Sequence, residues 1–301
     1  MLRISTQTMF ETGSGRISEL QSGLSRTQLQ IASGRRLLSP SDDPVATARA
    51  LEVTQSKSIN ERYGVNRQYA MSSLEAVEGT LSSVTALLQD VKEITIAAGN
   101  PTLGDSERAS QATALRSRFK DLLGLANSRD AAGDYMFSGF QSHTPAFVEG
   151  APGVVSYQGD AGRRMVQVDT ARQIAVTVTG DSVFKNATQD VFDTLNDLIL
   201  LLETPGTAGL AAGLQTANDK LGLALDDVIS ARVSVGGDLQ AIDFFEAAGQ
   251  DKDLQYSQIL SDLQDLDYAK AVTQLSQQQF MLEAAQKSFV KTSGLSLFNF
   301  L

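Results

Sequence analysis

Apolar residues recur at alternating gaps of three and four along much of the chain, the rhythm of one face of an α-helix. Leu74, Val77, Leu81, Val84, Leu88 and Val91 keep it within a stretch running from Pro44 to Ala98, which Gly99, Asn100 and Pro101 stop. From about Asp105 a second set follows at the same spacing, Ala112, Leu115, Phe119, Leu122 and Ala126, and the two stretches read as an antiparallel pair. Val191, Leu195, Leu198 and Leu202 predict a short helix ended by Thr204, Pro205 and Gly206. A long helix then follows through Leu214, Ala217, Leu221, Ala224, Val228, Ala231 and Val235 to Ile242 and Phe245.

The two ends of the chain carry narrower stripes at sevenfold spacing. Phe10, Ile17, Leu24 and Ile31 form one, continued by Leu38, with Leu20 and Thr27 three residues behind members of the series. Tyr268, Leu275, Leu282 and Phe289 form the other, with Val272, Gln279 and Gln286 at the second seam position. Neither stripe is wide enough to hold an isolated helix, so each needs a partner, and the simplest partner is the other terminus.

Between Phe140 and Phe184 the period changes to two, at Val166 and Val168 and at Ile174, Val176 and Val178. Gly159 to Gly162 reads as a hairpin turn between β-rich runs. The expected fold is mainly α: a bundle of long helices, a terminal coiled coil pairing the N- and C-terminal helices, and a small central β-rich insertion at the far tip. The corresponding domains are a terminal coiled-coil domain (1–40 and 251–301), a long helical rod domain (41–134 and 187–250) and a small β domain (135–186).

Composition narrows the function. Hydrophobic residues make up 42% of the 301, enough for packed cores, but only 6% are aromatic and none is tryptophan, which suits thin helical bundles. Without cysteine there is neither a disulfide framework nor a thiolate metal site. The net charge of −10 is concentrated in residues 190–255, which hold 12 acidic and 3 basic side chains; a solvated acidic face follows, and nucleic acid is excluded as a partner. The longest purely aliphatic run is Leu198 to Leu202, far short of the ~18 residues of a membrane span, so no membrane insertion is expected. The first fifteen residues lack the apolar core of a cleaved signal peptide, so any exit from the cell uses another route.

Candidate chemistry is sparse. His143 has no second imidazole to complete a metal set, and the pairs Asp42/Asp43 and Asp226/Asp227 are sequence neighbours that point apart on a helix. Gly13 and Gly15 lack the third glycine and preceding strand of a dinucleotide site. Asn186 to Thr188 matches a glycosylation acceptor but reads as a helix cap at Asn186 or Thr188. No catalytic residue, metal ligand or cofactor site is expected, and association becomes the protein's business, with the stripe residues as its assembly seam.

The run SGRRLLSPSDDP, from Ser33 to Pro44, interrupts the helical pattern. Gly34 suits a left-handed helix end, and Pro40 keeps the helix from resuming. Ser41, Asp42 or Asp43 can cap the next helix, and Pro44 fits its first turn. These positions read as a junction between the terminal layer and the outer rods.

The part of that run from Ser33 to Asp43, SGRRLLSPSDD, with Ala46 and SLEAVEGTLSSVTALLQDVKEI (73–94), resembles the N-terminal region of bacterial flagellins and their relatives. DYAKAVTQLSQQQFMLEAAQKSF (267–289) is similar to the matching C-terminal region, so the resemblance covers about half the chain. GDYMFSGFQSHTPAF (133–147) and YQGDAGRRMVQV (157–168) look like central motifs of the family's hook–filament junction members rather than of flagellin, the bulk filament subunit, which is the alternative. The resemblance implies a secreted structural subunit, exported by the flagellar type III apparatus and assembled with copies of itself in a layer at the hook–filament junction. Its implied partners are hook-associated protein 1, flagellin and an export chaperone, the last placed at Leu275, Leu282 and Phe289.

Overall fold

The computed structural model describes residues 2–186 and 189–294. Among the described residues, seven helices and four short strands follow in the order α1 (Leu2–Ser33), α2 (Pro44–Ala98), α3 (Asp105–Ala126), β1 (Phe147–Glu149), β2 (Val155–Tyr157), β3 (Met165–Asp169), β4 (Arg172–Ala175), α4 (Gly180–Val183), α5 (Val191–Glu203), α6 (Leu210–Gln264) and α7 (Tyr268–Gly294). They divide into two compact units, residues 1–59 with 251–301 and residues 60–250, and the long helices α2 and α6 contribute to both.

The 60–250 unit is built on the three-four rhythm. Leu74, Val77, Leu81, Val84, Leu88 and Val91 of α2 are buried together with Leu115, Phe119 and Leu122 of α3 and Leu214, Leu221, Ala224 and Val228 of α6, in one continuous core. Asp105 and Glu107 place negative charge in the first turn of α3, where it complements the helix dipole. Asp190 caps α5 by accepting from the backbone N–H groups of Phe192 and Asp193. The capping role expected at Asn186 or Thr188 thus belongs to Asp190. Asn186 instead accepts from the Gln189 N–H and donates to Asp227, and Thr188 lies outside the described residues.

The strands make two separate antiparallel pairs, β1 with β2 and β3 with β4. Phe147 faces Tyr157 in the first and Val166 faces Ile174 in the second, with a register shift between Gln167 and Asp169. Gly159 to Gly162 is therefore not a hairpin turn, because it connects strands of different pairs. It is held against the preceding segment instead: the Asp160 carboxylate accepts from the N–H groups of Phe140 and Gly162, and the Tyr157 hydroxyl donates to the Asp160 carbonyl.

The mainly helical class with a small β-rich insertion is as the sequence predicts, but the tip position of the insertion is corrected within the 60–250 unit. Asn66 of α2 donates to the Gln167 carbonyl at 2.8 Å, and the Arg67 guanidinium donates to the Val168 carbonyl at 3.0 Å. The start of α3 meets the loop between α5 and α6, where the Gly206 N–H donates to Asp105, and Arg116 of α3 pairs with Glu203 at the end of α5 at 2.7 Å. Helices α3 and α5 each retrace part of a long helix and so bring the insertion back alongside the rods. Phe119, Phe147, Phe184 and Phe192 join it to them, with ring centroids of successive pairs 5.2–6.3 Å apart.

Candidate assembly surface

In the unit formed by residues 1–59 and 251–301, α1 packs against α7. Phe10 meets Phe289, with ring centroids 5.1 Å apart. Gly13 makes this approach possible, since a Cβ there would lie 2.7 Å from the Phe289 ring. Ile17, Leu24 and Ile31 on α1, and Leu275, Leu282 and Phe289 on α7, are half-buried, whereas Phe10 and Tyr268 are exposed. The structure therefore brings most of the predicted seam together, but covers it incompletely.

The second seam position on α7 differs from the one read from sequence. Val272, Gln279 and Gln286 are exposed, and Ala271, Gln278 and Ala285, three residues after the sevenfold series, face α1 instead. Thr27 and Ala271 are buried, and Gln278 lies beside Gly23. Small and polar residues at these positions let the helices approach closely while burying little apolar area.

Much apolar surface is left over. Met9, Leu29, Val272, Phe280 and Val290 are exposed, and Phe280, at 73%, is on the side of α7 opposite Leu275 and Leu282. A groove of about 930 Å³ opens between the two helices, lined by Met9, Gly13, Ile17, Ala285 and Phe289 among others. These exposed large side chains are gathered on one thin helix pair.

Residues 34–44 adjoin this pair. Gly34 has φ +70° and its N–H donates to the Gln30 carbonyl, closing α1 in the left-handed conformation that glycine tolerates. Pro40 is the second residue of a turn closed by the Asp42 N–H and the Ser39 carbonyl at 3.0 Å. Asp42 accepts from the N–H groups of Leu38 and Ser39 and from the Ser39 hydroxyl, and pairs with Arg26 at 2.7 Å. Chiefly the Leu38 N–H holds its carboxyl below the usual range, with Ser39 and Arg26 adding to the effect and partial desolvation opposing it. Asp43 caps α2 by accepting from Ala46, and Pro44 is the first helical residue.

His143, considered above for chemistry, and Tyr157 of β2 both lie in the 60–250 unit. His143 is highly exposed, 2.9 Å from Asp134. Burial, followed by the Asp181 charge, pushes Tyr157 up to about 12, so its hydroxyl serves as a neutral donor, to the carbonyls of Phe137 and Asp160. Among the described residues no group of three or more His, Cys, Asp or Glu side chains could hold a metal ion.

Sequence comparison decides the family. The flagellar hook-associated protein 3 of Escherichia coli (strain K12) is 32% identical over 316 residues, spanning 99% of both chains, and that of Salmonella typhimurium (strain LT2) is 31% identical over the same extent. The chain belongs to the flagellar hook-associated protein 3 family. Residues 4–142 also match the bacterial flagellin N-terminal helical region. Among solved structures, a putative flagellar hook-associated protein from Vibrio parahaemolyticus aligns with a TM-score of 0.69 at 23% identity, covering 74% of this chain and all of that one. The flagellar junction protein FlgL from Legionella pneumophila aligns at 0.61 and 22%, covering 72% and 100%. At those identities the structural likeness speaks for the fold, and membership in the hook-associated protein 3 family rests on the end-to-end sequence match.

Proposed function

We propose that this protein is the structural subunit that joins the flagellar hook to the filament and self-assembles into a junction layer. The observation that carries this reading is the match, over 99% of both chains, to flagellar hook-associated protein 3 of two species. Hook-associated protein 1 lies on the hook side, flagellin on the filament side and further copies of the chain alongside. The subunit leaves the cell through the flagellar type III apparatus, escorted by a chaperone that covers Leu275, Leu282 and Phe289. Its role is mechanical and needs no catalytic group.

The mechanism is burial. Covering one exposed leucine or phenylalanine contributes about 1.5–3 kcal/mol, so several of them offset the ordering of two terminal helices that bury little in the monomer. The remaining surface of α1 and α7, with Phe10, Met9 and Phe280, is what neighbouring subunits cover.

Deleting the gene tests the role. Cells with hooks but no filaments, and with flagellin free in the medium, support the junction reading. Hooks that carry filaments overturn it, and loss of the filament subunit itself favours flagellin.

A further inference from the structure

Besides the break after α1, the structure contains a second one at Asp265–Asp267, where α6 gives way to α7. The two lie side by side in the unit formed by residues 1–59 and 251–301. Arg35 and Asp265 are antiparallel bridge partners. They are flanked by two backbone bonds, from the Arg36 N–H to the Gln264 carbonyl at 2.7 Å and from the Leu266 N–H to the Gly34 carbonyl at 3.0 Å. The Arg36 guanidinium adds a bond to the Leu263 carbonyl at 2.8 Å, and Gln30 reaches across α1's end to the Arg36 carbonyl. The Tyr268 hydroxyl packs so closely on Gly34 that a Cβ there would lie 2.9 Å from it.

The carbonyls of Leu263 and Gln264 belong to the last turn of α6 and have no partner within that helix. Arg36 satisfies both, while Gly34 accepts from the amide that would otherwise be unpaired ahead of α7. Each break thus supplies hydrogen-bond partners that the other lacks, and moving one alone strands polar groups on the other. Each is also secured on its own side, by Asp42 and Asp43 in the first and by Asp267, which accepts from the Lys270 N–H at 3.1 Å, in the second.

We infer that the two breaks are a single joint: residues 34–43 and 264–267 open and close in one step, and α1 and α7 turn together on the ends of α2 and α6. The inference stands on these contacts alone and does not depend on the junction role.

Amide hydrogen exchange on the full-length monomer tests it. Asp42→Ala removes contacts made only within the first break and to Arg26. A single joint predicts that exchange at Leu266, in the second break, accelerates by the same factor as at Arg36, roughly fivefold as loss of one side-chain-to-backbone hydrogen bond gives. Asp267→Ala, the reciprocal change, should accelerate Arg36 as much as Leu266. Acceleration confined to the mutated break overturns the inference.

A second pair of substitutions keeps the test independent of lost caps. The chain has no cysteine, and Arg35 and Asp265 occupy a non-hydrogen-bonded antiparallel pair, the closer of the two pair types. Arg35→Cys with Asp265→Cys should oxidise to a disulfide and slow exchange in both breaks together. Failure to cross-link, or protection of one break only, contradicts a single joint.

Discussion

Phe10 and Phe289 meet across α1 and α7 as a tilted ring pair with centroids 5.1 Å apart, yet Phe10 remains 57% exposed. A ring pair that is in contact and still wet describes the whole terminal pair, whose partners in the monomer cover one side only. The proposed function therefore predicts different consequences for seam and surface positions. Phe280→Ser should leave monomer stability within about 0.5 kcal/mol, as exposed substitutions do, and should impair assembly into flagella. Thermal unfolding of the purified protein together with a motility assay checks both halves.

Phe192 sits at the opposite extreme, fully buried among Phe119, Phe147 and Phe184 where the insertion meets the rods. Phe192→Ala should cost about 3–5 kcal/mol in denaturant unfolding of the 60–250 unit. A cost below 1 kcal/mol would mean that the aromatic cluster does not hold the insertion in place.

Gly249 lies against the buried Arg67 side chain, which pairs with Glu246 at 2.7 Å and binds the Val168 carbonyl. A Cβ at 249 would come within 2.3 Å of the guanidinium. Gly249→Val should push that group off its partners and destabilise the unit by about 2 kcal/mol, the scale of a buried donor left without its hydrogen-bond partners. Adding Arg67→Met to the same chain should then cost little more, a non-additivity that a double-mutant cycle measures.

The helical core was legible because its burial is one-sided and periodic, and every member of the Leu74 to Val91 series is buried. The break at 33–44 was legible because glycine and proline mark it. The matching break at 265–267 contains neither, and its one local signal is Asp267, a capping residue type ahead of the apolar spacing of α7. The inner seam was misread for a similar reason: Ala271, Gln278 and Ala285 are too small or too polar to register in a hydrophobic pattern. The insertion's place beside the rods depends on Asn66 and Arg67 reaching residues about a hundred positions away, which no local spacing encodes.

Acid should act on the first break. Asp42 has its folded value depressed, so it contributes stability above the unfolded value of about 3.9, and that contribution is lost as pH falls through the lower folded value. Arg26 faces it from α1, and the Arg36 and Asp43 pair lies alongside. Exchange at Leu38 and Ser39, corrected for its intrinsic pH dependence, should be flat from pH 7 to 5 and rise below about pH 4. The Asp42→Asn variant should lack that rise.

The junction role is tested most directly by where the protein sits on isolated flagella. Antibody or tag labelling viewed by electron microscopy should give a single band at the boundary between hook and filament. Label distributed along the filament, or absent from intact flagella, would contradict the account.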